Sequence, residues 1–386
     1  MNNDLQNLMR QATQLTQAGR LTEATAAIQR ALSGKGNVYD VVADQEIPVK
    51  PAPSAMILDG CVFEVADADA DTATAAAAPT ATAKAKAKAT GVGTFTSGSH
   101  THATLTRRYK LYVPTGFTGT AGQQRPLVVM LHGCTQNPDD FAVGTGMNER
   151  ARAQGFCVLY PEQSPDDNPQ RCWNWFKHNH QRRGSGEPAL IASMTQAIMK
   201  EHNIDPRRVF IAGLSAGGAM AAIVADAYPD IFAAVGVHSG LPSGAARNVA
   251  EALAVMNSGH RGHMKNGKLP TQPPQQPHRL VPTIVFHGDQ DRTVHPRNGE
   301  QVIASALGSA TAASLRVAQG VSVNGRRYTN SIHHGDTGKV LAEHWLVHGA
   351  GHAWSGGHAK GSYTDSKGPD ATAEMLRFFF AHPHTV

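Results

Sequence analysis

A serine in the run Gly213-Leu214-Ser215-Ala216-Gly217 is the residue around which chemistry can be built in this chain. Before it stands Val209-Phe210-Ile211-Ala212, an apolar run that reads as a buried strand. After it comes AGGAMAAIVADAY, patterned as a helix up to Pro229. The pattern G-x-S-x-G at a strand-to-helix turn raises the serine clear of the strand top, and its two glycines let strand and helix approach closely. The helix N-terminus points backbone N–H groups at any anion nearby. Serine at its free pKa is a weak nucleophile. It needs a base, and the base needs an acid to orient it.

Both partners are expected in loops after later strands of the same sheet, in the order serine, acid, histidine. The run TIVFH is followed by Gly288-Asp289-Gln290-Asp291-Arg292. Asp291 lies further into that loop, where a side chain can swing toward the next strand's loop, and is the preferred acid. Asp289 reads as the residue that closes the turn by bonding its own backbone. The run HWLVH is followed by Gly349-Ala350-Gly351-His352-Ala353-Trp354. There are 20 histidines, so most of them must be unrelated to catalysis. His344 and His348 read as strand residues, and His333, His334 and His358 as surface residues. His352 alone combines a strand end, flanking glycines and the right chain order.

Acyl transfer through a tetrahedral intermediate also needs two N–H donors. One is the backbone of Ala216, just after the serine. The loop after Leu127-Val128-Val129-Met130-Leu131 offers the other, at the N–H of Cys134. Trp173, Trp175 and Trp354 fall in loops near these residues. They are expected either to give a bound acyl chain a rigid apolar surface or to pack as core. Trp345, inside a strand, reads as core.

The elements that must position these groups alternate. Strand patterns at Thr104–Val113, Pro126–Leu131, Phe156–Tyr160, Arg207–Ala212, Ala233–Val237, Thr283–His287 and Glu343–Val347 are interleaved with helix patterns at Phe141–Gln154, Ala189–His202, Pro296–Leu307 and Asp370–Phe380. Alternation of this kind predicts a parallel sheet and an α/β fold. A hairpin is expected from Leu315 to Ile332 around Asn324-Gly325, a type I′ turn signal. Residues 242–281 read as irregular, with a Pro/Gln-rich stretch. Residues 1–34 carry two short apolar helix faces, expected to form a helical hairpin. Residues 35–94 read as a low-complexity linker, because Ala, Thr, Lys and Asp bury too little to offset ordering entropy. Residues 95–386 then hold the catalytic domain.

The formal net charge of +5 is only mildly basic, and no basic stripe interleaves with aromatics, so nucleic acid is not an expected partner. No apolar run reaches the ~18 residues of a membrane span. The first residues, MNNDLQNLMRQATQ, have no basic and then apolar leader pattern, which gives a cytoplasmic expectation. Of the four cysteines, Cys61, Cys134, Cys157 and Cys172, none shows C-x-x-C spacing, so a zinc or thioredoxin-like site is not expected.

Taken together, LHGCTQN, RCWNWF, GLSAGGAM, HGDQDRTV and HGAGHAWSGG resemble the polyhydroxybutyrate depolymerase-type esterases, a group related to feruloyl and acetylxylan esterases, over about residues 95–382. The resemblance implies an α/β-hydrolase fold, a mostly parallel sheet with helices on both faces. It also implies Ser215, Asp291 and His352 as the triad and Cys134 and Ala216 as the oxyanion hole. The expected function is a serine carboxylesterase acting on short-chain acyl esters or polyesters through an acyl-enzyme, with no metal or organic cofactor. Feruloyl or acetylxylan ester hydrolysis is the near alternative, and a polymer-granule binding protein on a residual hydrolase fold the distant one. Residues 1–34 are the expected contact with a polymer granule or a second copy. A disulfide is expected between Cys134 and Cys172, both in loops at the sheet top, with Cys157 free inside a strand. Such a bridge, with the family, suggests a periplasmic or extracellular address instead.

Overall fold

In chain order, β1 (Thr94–His102) and β2 (Leu105–Val113) form an antiparallel hairpin. They are followed by β3 (Arg125–Leu131), α1 (Pro138–Thr145), α2 (Met147–Gln154), β4 (Cys157–Pro161), α3 (Gly186–Glu201), β5 (Ile204–Leu214) and α4 (Ala216–Ala227). Then come β6 (Ala234–His238), α5 (Val249–Ser258), β7 (Thr283–Gly288), α6 (Arg297–Leu307), β8 (Ser314–Val321), β9 (Arg327–His334) and β10 (Val340–Val347). Two short strands, β11 (Trp354–Ser355) and β12 (Thr364–Asp365), precede the closing helix α7 (Ala371–Ala381). This computed structural model describes residues 93–116, 124–259, 280–308 and 314–385. The expected N-terminal hairpin, nearly all of the linker and the Pro/Gln-rich stretch lie outside the described residues.

One large sheet runs β1-β2-β4-β3-β5-β6-β7-β10-β9-β8. Its centre, from β4 to β10, is parallel throughout. Antiparallel strands close both edges. The apolar runs take the central places because strands covered on both faces need no polar side. Leu127 through Leu131 in β3 are wholly buried. On one face β-strand side chains pack with Ile191 and Ile198 of α3, Met220 and Val224 of α4 and Val302 of α6. On the other they pack with Phe141 of α1, Met147 of α2 and Met375 and Phe379 of α7. This is the α/β-hydrolase architecture. The C-terminal ends of its parallel strands face one way, and loops there gather functional groups from distant parts of the chain.

Three local expectations are corrected. The single helix expected over Phe141–Gln154 is two, because Gly146 takes φ 61° and its N–H closes α1 onto Ala142. A left-handed residue cannot continue a helix, and glycine occupies it without strain. The stretch read as irregular contains α5. Asn248 accepts the Glu251 N–H, and the Glu251 carboxylate accepts from the Arg247 N–H, a capping arrangement visible as N-x-x-E. The hairpin strand β1 escapes the sequence reading, since its Thr, Ser and Gly residues lack an apolar alternation.

Cys134 and Cys172 are joined by a disulfide, and Cys157 is free and buried in β4. Burial pushes the Cys157 thiol up to about 11, away from reactivity. The bridge closes a loop of 38 residues. In the chain-entropy view that constraint contributes roughly 3–4 kcal/mol. Replacing both cysteines by serine is expected to lower unfolding free energy by about that amount in a denaturant titration.

Candidate active site

Ser215 sits between β5 and α4 with φ 57° and ψ −119°, a strained conformation for a residue bearing a side chain. Its N–H donates to the His238 carbonyl at 2.9 Å, and its own carbonyl accepts the Ala219 N–H. The turn is possible because nothing larger than hydrogen fits beside it. A Cβ on Gly217 would stand 2.1 Å from the Leu131 carbonyl oxygen, and one on Gly213 would stand 2.4 Å from the Gly217 backbone. Both contacts are with backbone, which cannot move aside. Gly217→Ala is therefore expected to give protein that fails to accumulate in soluble, folded form. A soluble Gly217→Ala protein with an unchanged melting temperature would contradict this packing.

Asp291 lies after β7 and His352 after β10, on neighbouring parallel strands. His352 Nδ1 donates to Asp291 Oδ2 at 2.7 Å, which leaves Nε2 as the basic nitrogen. The other carboxylate oxygen accepts the N–H groups of Thr293 and Val294, each at 2.9 Å. Burial alone would raise the Asp291 pKa. Hydrogen bonds from His287 and His352 and from the Val294 backbone override it and hold the carboxyl well below the usual range. Asp291 is thus an ionised, fully committed acceptor.

Asp289 corrects its expected role of bonding its own turn. It accepts from His348 Nδ1 at 2.9 Å and from the Gly349 N–H at 2.7 Å, so it ties the loop of Asp291 to the loop of His352.

The loop after β3 packs directly on the serine turn. A Cβ on Gly133 would reach the Leu214 carbonyl oxygen at 3.5 Å, and one on Gly217 would reach that of His132 at 2.5 Å. Cys134 and Ala216 are brought to adjacent turns by these contacts. The loop is held in shape from several sides. Gln136 accepts the Gly133 N–H at 2.9 Å, the Trp173 indole donates to the His132 carbonyl at 3.1 Å, and the disulfide fixes Cys134. Behind Cys172, fully buried Glu187 accepts from the Asn174 N–H at 2.7 Å and from the side chains of Asn174 and Gln163. Its charge is offset by Arg107, 3.6 Å away, and His180 Nδ1 lies 3.4 Å from it.

The tryptophans depart from the expectation of a substrate surface. Trp173, Trp175 and Trp354 are all buried, at 0%, 4% and 1% exposure, and have almost no surface to offer a substrate. The Trp354 indole donates to Thr372 and its ring lies on His238 and Phe141, while Trp175 packs edge-on to Phe176. A rigid apolar ring near the site serves here as packing beneath the loops.

His238 is not among the residues that the sequence pattern singles out. Its carbonyl takes the Ser215 N–H, and its Nε2 accepts the Ser355 N–H at 2.9 Å, three residues beyond His352. One buried residue thereby ties the serine turn to the loop of His352. A signal existed: apolar runs ending in His then Gly or Ser recur at His132, His238, His287 and His348. Each bonds a neighbouring loop from a strand end.

Burial drives His132 and His344 from their ordinary 6.5 down to about 4, and burial with the charges of His287 and His352 drives His238 well below it. Folded, they stay neutral where the unfolded chain would bind protons. Stability is therefore lost as pH falls from about 6.5 toward 4, by up to about 3 kcal/mol for each of the first two. Denaturant midpoints measured between pH 7.5 and 4.5 are expected to fall steadily. A flat profile would contradict the buried neutral state.

Among the described residues, no group of three or more His, Cys, Asp or Glu side chains is arranged to hold a metal ion.

A family model described as Esterase PHB depolymerase matches residues 107–324. The chain belongs to this family. A poly(3-hydroxyalkanoate) depolymerase C of Paucimonas lemoignei is 30% identical over 243 residues, 62% of this chain and 57% of that protein. The poly(3-hydroxybutyrate) depolymerase of Ralstonia pickettii is 28% identical, over 64% of this chain and 51% of its own length. The acetylxylan esterase A of Aspergillus oryzae is 28% identical, over 50% of this chain and 62% of that protein. The chain thus spans about half to two thirds of the length of these relatives. Among solved structures, an acetyl xylan esterase from Aspergillus awamori superposes with a TM-score of 0.54 at 20% identity, covering 71% of this chain and 94% of the other, a likeness of fold. The family match takes in Cys134, Cys172, Ser215 and Asp291 and ends before His352, which enters through the sheet's β10.

Proposed function

We propose that this member of the family is a serine carboxylesterase that cleaves short-chain acyl esters or hydroxyalkanoate polyesters through an acyl-enzyme. The observation that carries the proposal is the 2.7 Å bond from His352 Nδ1 to Asp291, with His238 tying the His352 loop to the turn of the strained Ser215. In this reading His352 Nε2 takes the Ser215 proton as Oγ attacks the ester carbonyl, and then passes it to the departing alkoxide. Asp291 holds the ring in the required tautomer and stabilises the imidazolium. The Cys134 and Ala216 N–H groups receive the developing oxyanion. Water repeats the cycle on the acyl-enzyme and frees the acid.

The relatives' names support both a hydroxyalkanoate polyester and an acetylated xylan as substrate. A panel of p-nitrophenyl butyrate, hydroxybutyrate oligomers, acetylated xylan and a feruloyl ester tests the proposal. Turnover of the first two with little of the others supports it; turnover confined to acetylated xylan replaces the substrate class. The disulfide supports an oxidising compartment, periplasmic or extracellular, since such bridges are rare in the cytosol.

Residues 1–92 act in this reading as a tethered accessory segment that raises local concentration at a polymer surface or joins two copies. Deleting them is expected to leave soluble-ester turnover within a few-fold while weakening attack on insoluble polyester or changing the oligomeric state. A truncated protein that is folded but inactive on soluble esters would contradict this.

A further inference from the structure

Tyr363 is 46% exposed and is the only exposed Phe, Tyr or Trp among the described residues. Its position is fixed from both sides of the candidate site. Its carbonyl accepts the Trp354 N–H at 2.7 Å, on the loop that carries His352. Its hydroxyl lies 3.1 Å from the Thr135 hydroxyl, on the loop that carries Cys134. Thr135 gives its own hydrogen to the Cys134 carbonyl at 2.6 Å, so the Tyr363 O–H is the donor between the two.

The ring is therefore strapped between the base loop and the oxyanion loop. Both ends of the strap are strained, with φ 66° at Thr135 and φ 50° at Tyr363. Such conformations persist only where surrounding structure imposes them, and they gather at functional sites. The imposing contacts are present. Asp140 accepts from the Ser362 N–H at 2.8 Å, and Gln136 donates to the Ser362 carbonyl at 3.2 Å while its oxygen holds Gly133.

Resting on the proposed reading of the site, we infer that Tyr363 is a specificity-determining residue that receives the alcohol half of the ester. His352 must protonate the leaving alkoxide, so that half lies toward the base loop, where Tyr363 is anchored. The surface offered is apolar. The phenol O–H donates to Thr135, and the Ser362 N–H and hydroxyl are committed to Asp140, so none of these donors is free beside the ring. A sugar ring asks for several free hydrogen-bonding groups, whereas the methyl and methylene groups of a hydroxyalkanoate unit need only an apolar face. The alcohol that fits is the next hydroxyacyl unit of a polyester chain.

The test compares kcat/KM on the linear 3-hydroxybutyrate trimer with kcat/KM on methyl butyrate, whose alcohol is too small to reach the ring. An acetylated xylo-oligosaccharide is a third substrate, and full-length wild type, Tyr363→Ala, Tyr363→Phe and Ser215→Ala are run side by side. Tyr363→Ala is expected to lower the trimer-to-methyl ratio tenfold or more, mainly through the trimer KM. Tyr363→Phe keeps the face and is expected to hold the ratio within threefold of wild type. A ratio unmoved by Tyr363→Ala, or lowered equally by Tyr363→Phe, overturns the assignment. So does a loss confined to the acetylated sugar. If instead Ser215→Ala matches wild type, it is the reading of the site that fails, and the two failures are told apart.

Discussion

Replacing Ser215 by alanine is expected to remove ester hydrolysis, with kcat lower by about 10⁴-fold or more on p-nitrophenyl butyrate. The size of the effect follows from the chemistry. The alanine protein keeps the Cys134 and Ala216 N–H groups and the Asp291–His352 pair but has no oxygen at position 215 to carry the acyl group, so under the proposed mechanism only background assistance to water remains. Its fold should not suffer. The Ser215 backbone carries the bonds to His238 and Ala219, and these do not involve the hydroxyl. A folded Ser215→Ala protein that retains more than about a hundredth of wild-type turnover would place the nucleophile elsewhere.

The second large effect separates two aspartates two residues apart. Asp291→Asn is expected to lower kcat by about 10³–10⁴-fold, because an amide in place of the carboxylate favours the wrong His352 tautomer and cannot stabilise the imidazolium. Asp289→Asn removes a charge from His348 and weakens the hold on Gly349, one turn away from His352. Its loss is expected to stay within about tenfold, since a displaced loop weakens but does not abolish proton transfer. Equal losses, or the reverse order, would overturn the assignment of the acid. The pH dependence offers a companion check. With its pKa held below the ordinary range, Asp291 stays ionised across neutral and mildly acid pH and places no limb on the activity profile there.

What could be read in the residues was whatever depended on local pattern. The central strands were visible because burial on both faces leaves an apolar run with no alternation to confuse it, as in Leu127–Leu131. The serine turn was visible because its packing tolerates only glycine at Gly213 and Gly217. Chain order and strand ends sufficed to single out Asp291 and His352 as candidates, and position at the sheet top sufficed for the Cys134–Cys172 bridge. What escaped depended on contacts between segments far apart in the chain. Burial of Trp173 beneath the Cys134 loop depends on the His132 carbonyl, and burial of Trp354 depends on Thr372 and His238. Nothing near either tryptophan in sequence signals a choice between packing and substrate contact. Tyr363 was hidden for the same reason. Its strained backbone is held next to Ser362, which Asp140 and Gln136 bond from more than two hundred residues earlier in the chain. Glu187 reads as an ordinary helix-start carboxylate, and only Gln163, Asn174 and Arg107 together make it the anchor of the disulfide loop.

An acyl-enzyme on Ser215 can be caught by covalent trapping. Full-length protein is treated with an alkyl fluorophosphonate ester, digested, and mapped by mass spectrometry, with Ser215→Ala and Asp291→Asn treated in parallel. One phosphonyl group is expected per chain, on the peptide holding Gly213-Leu214-Ser215-Ala216-Gly217, formed much more slowly in Asp291→Asn and not at all in Ser215→Ala. Stoichiometric labelling of any other residue, or an unlabelled protein that still hydrolyses p-nitrophenyl butyrate, would contradict the account.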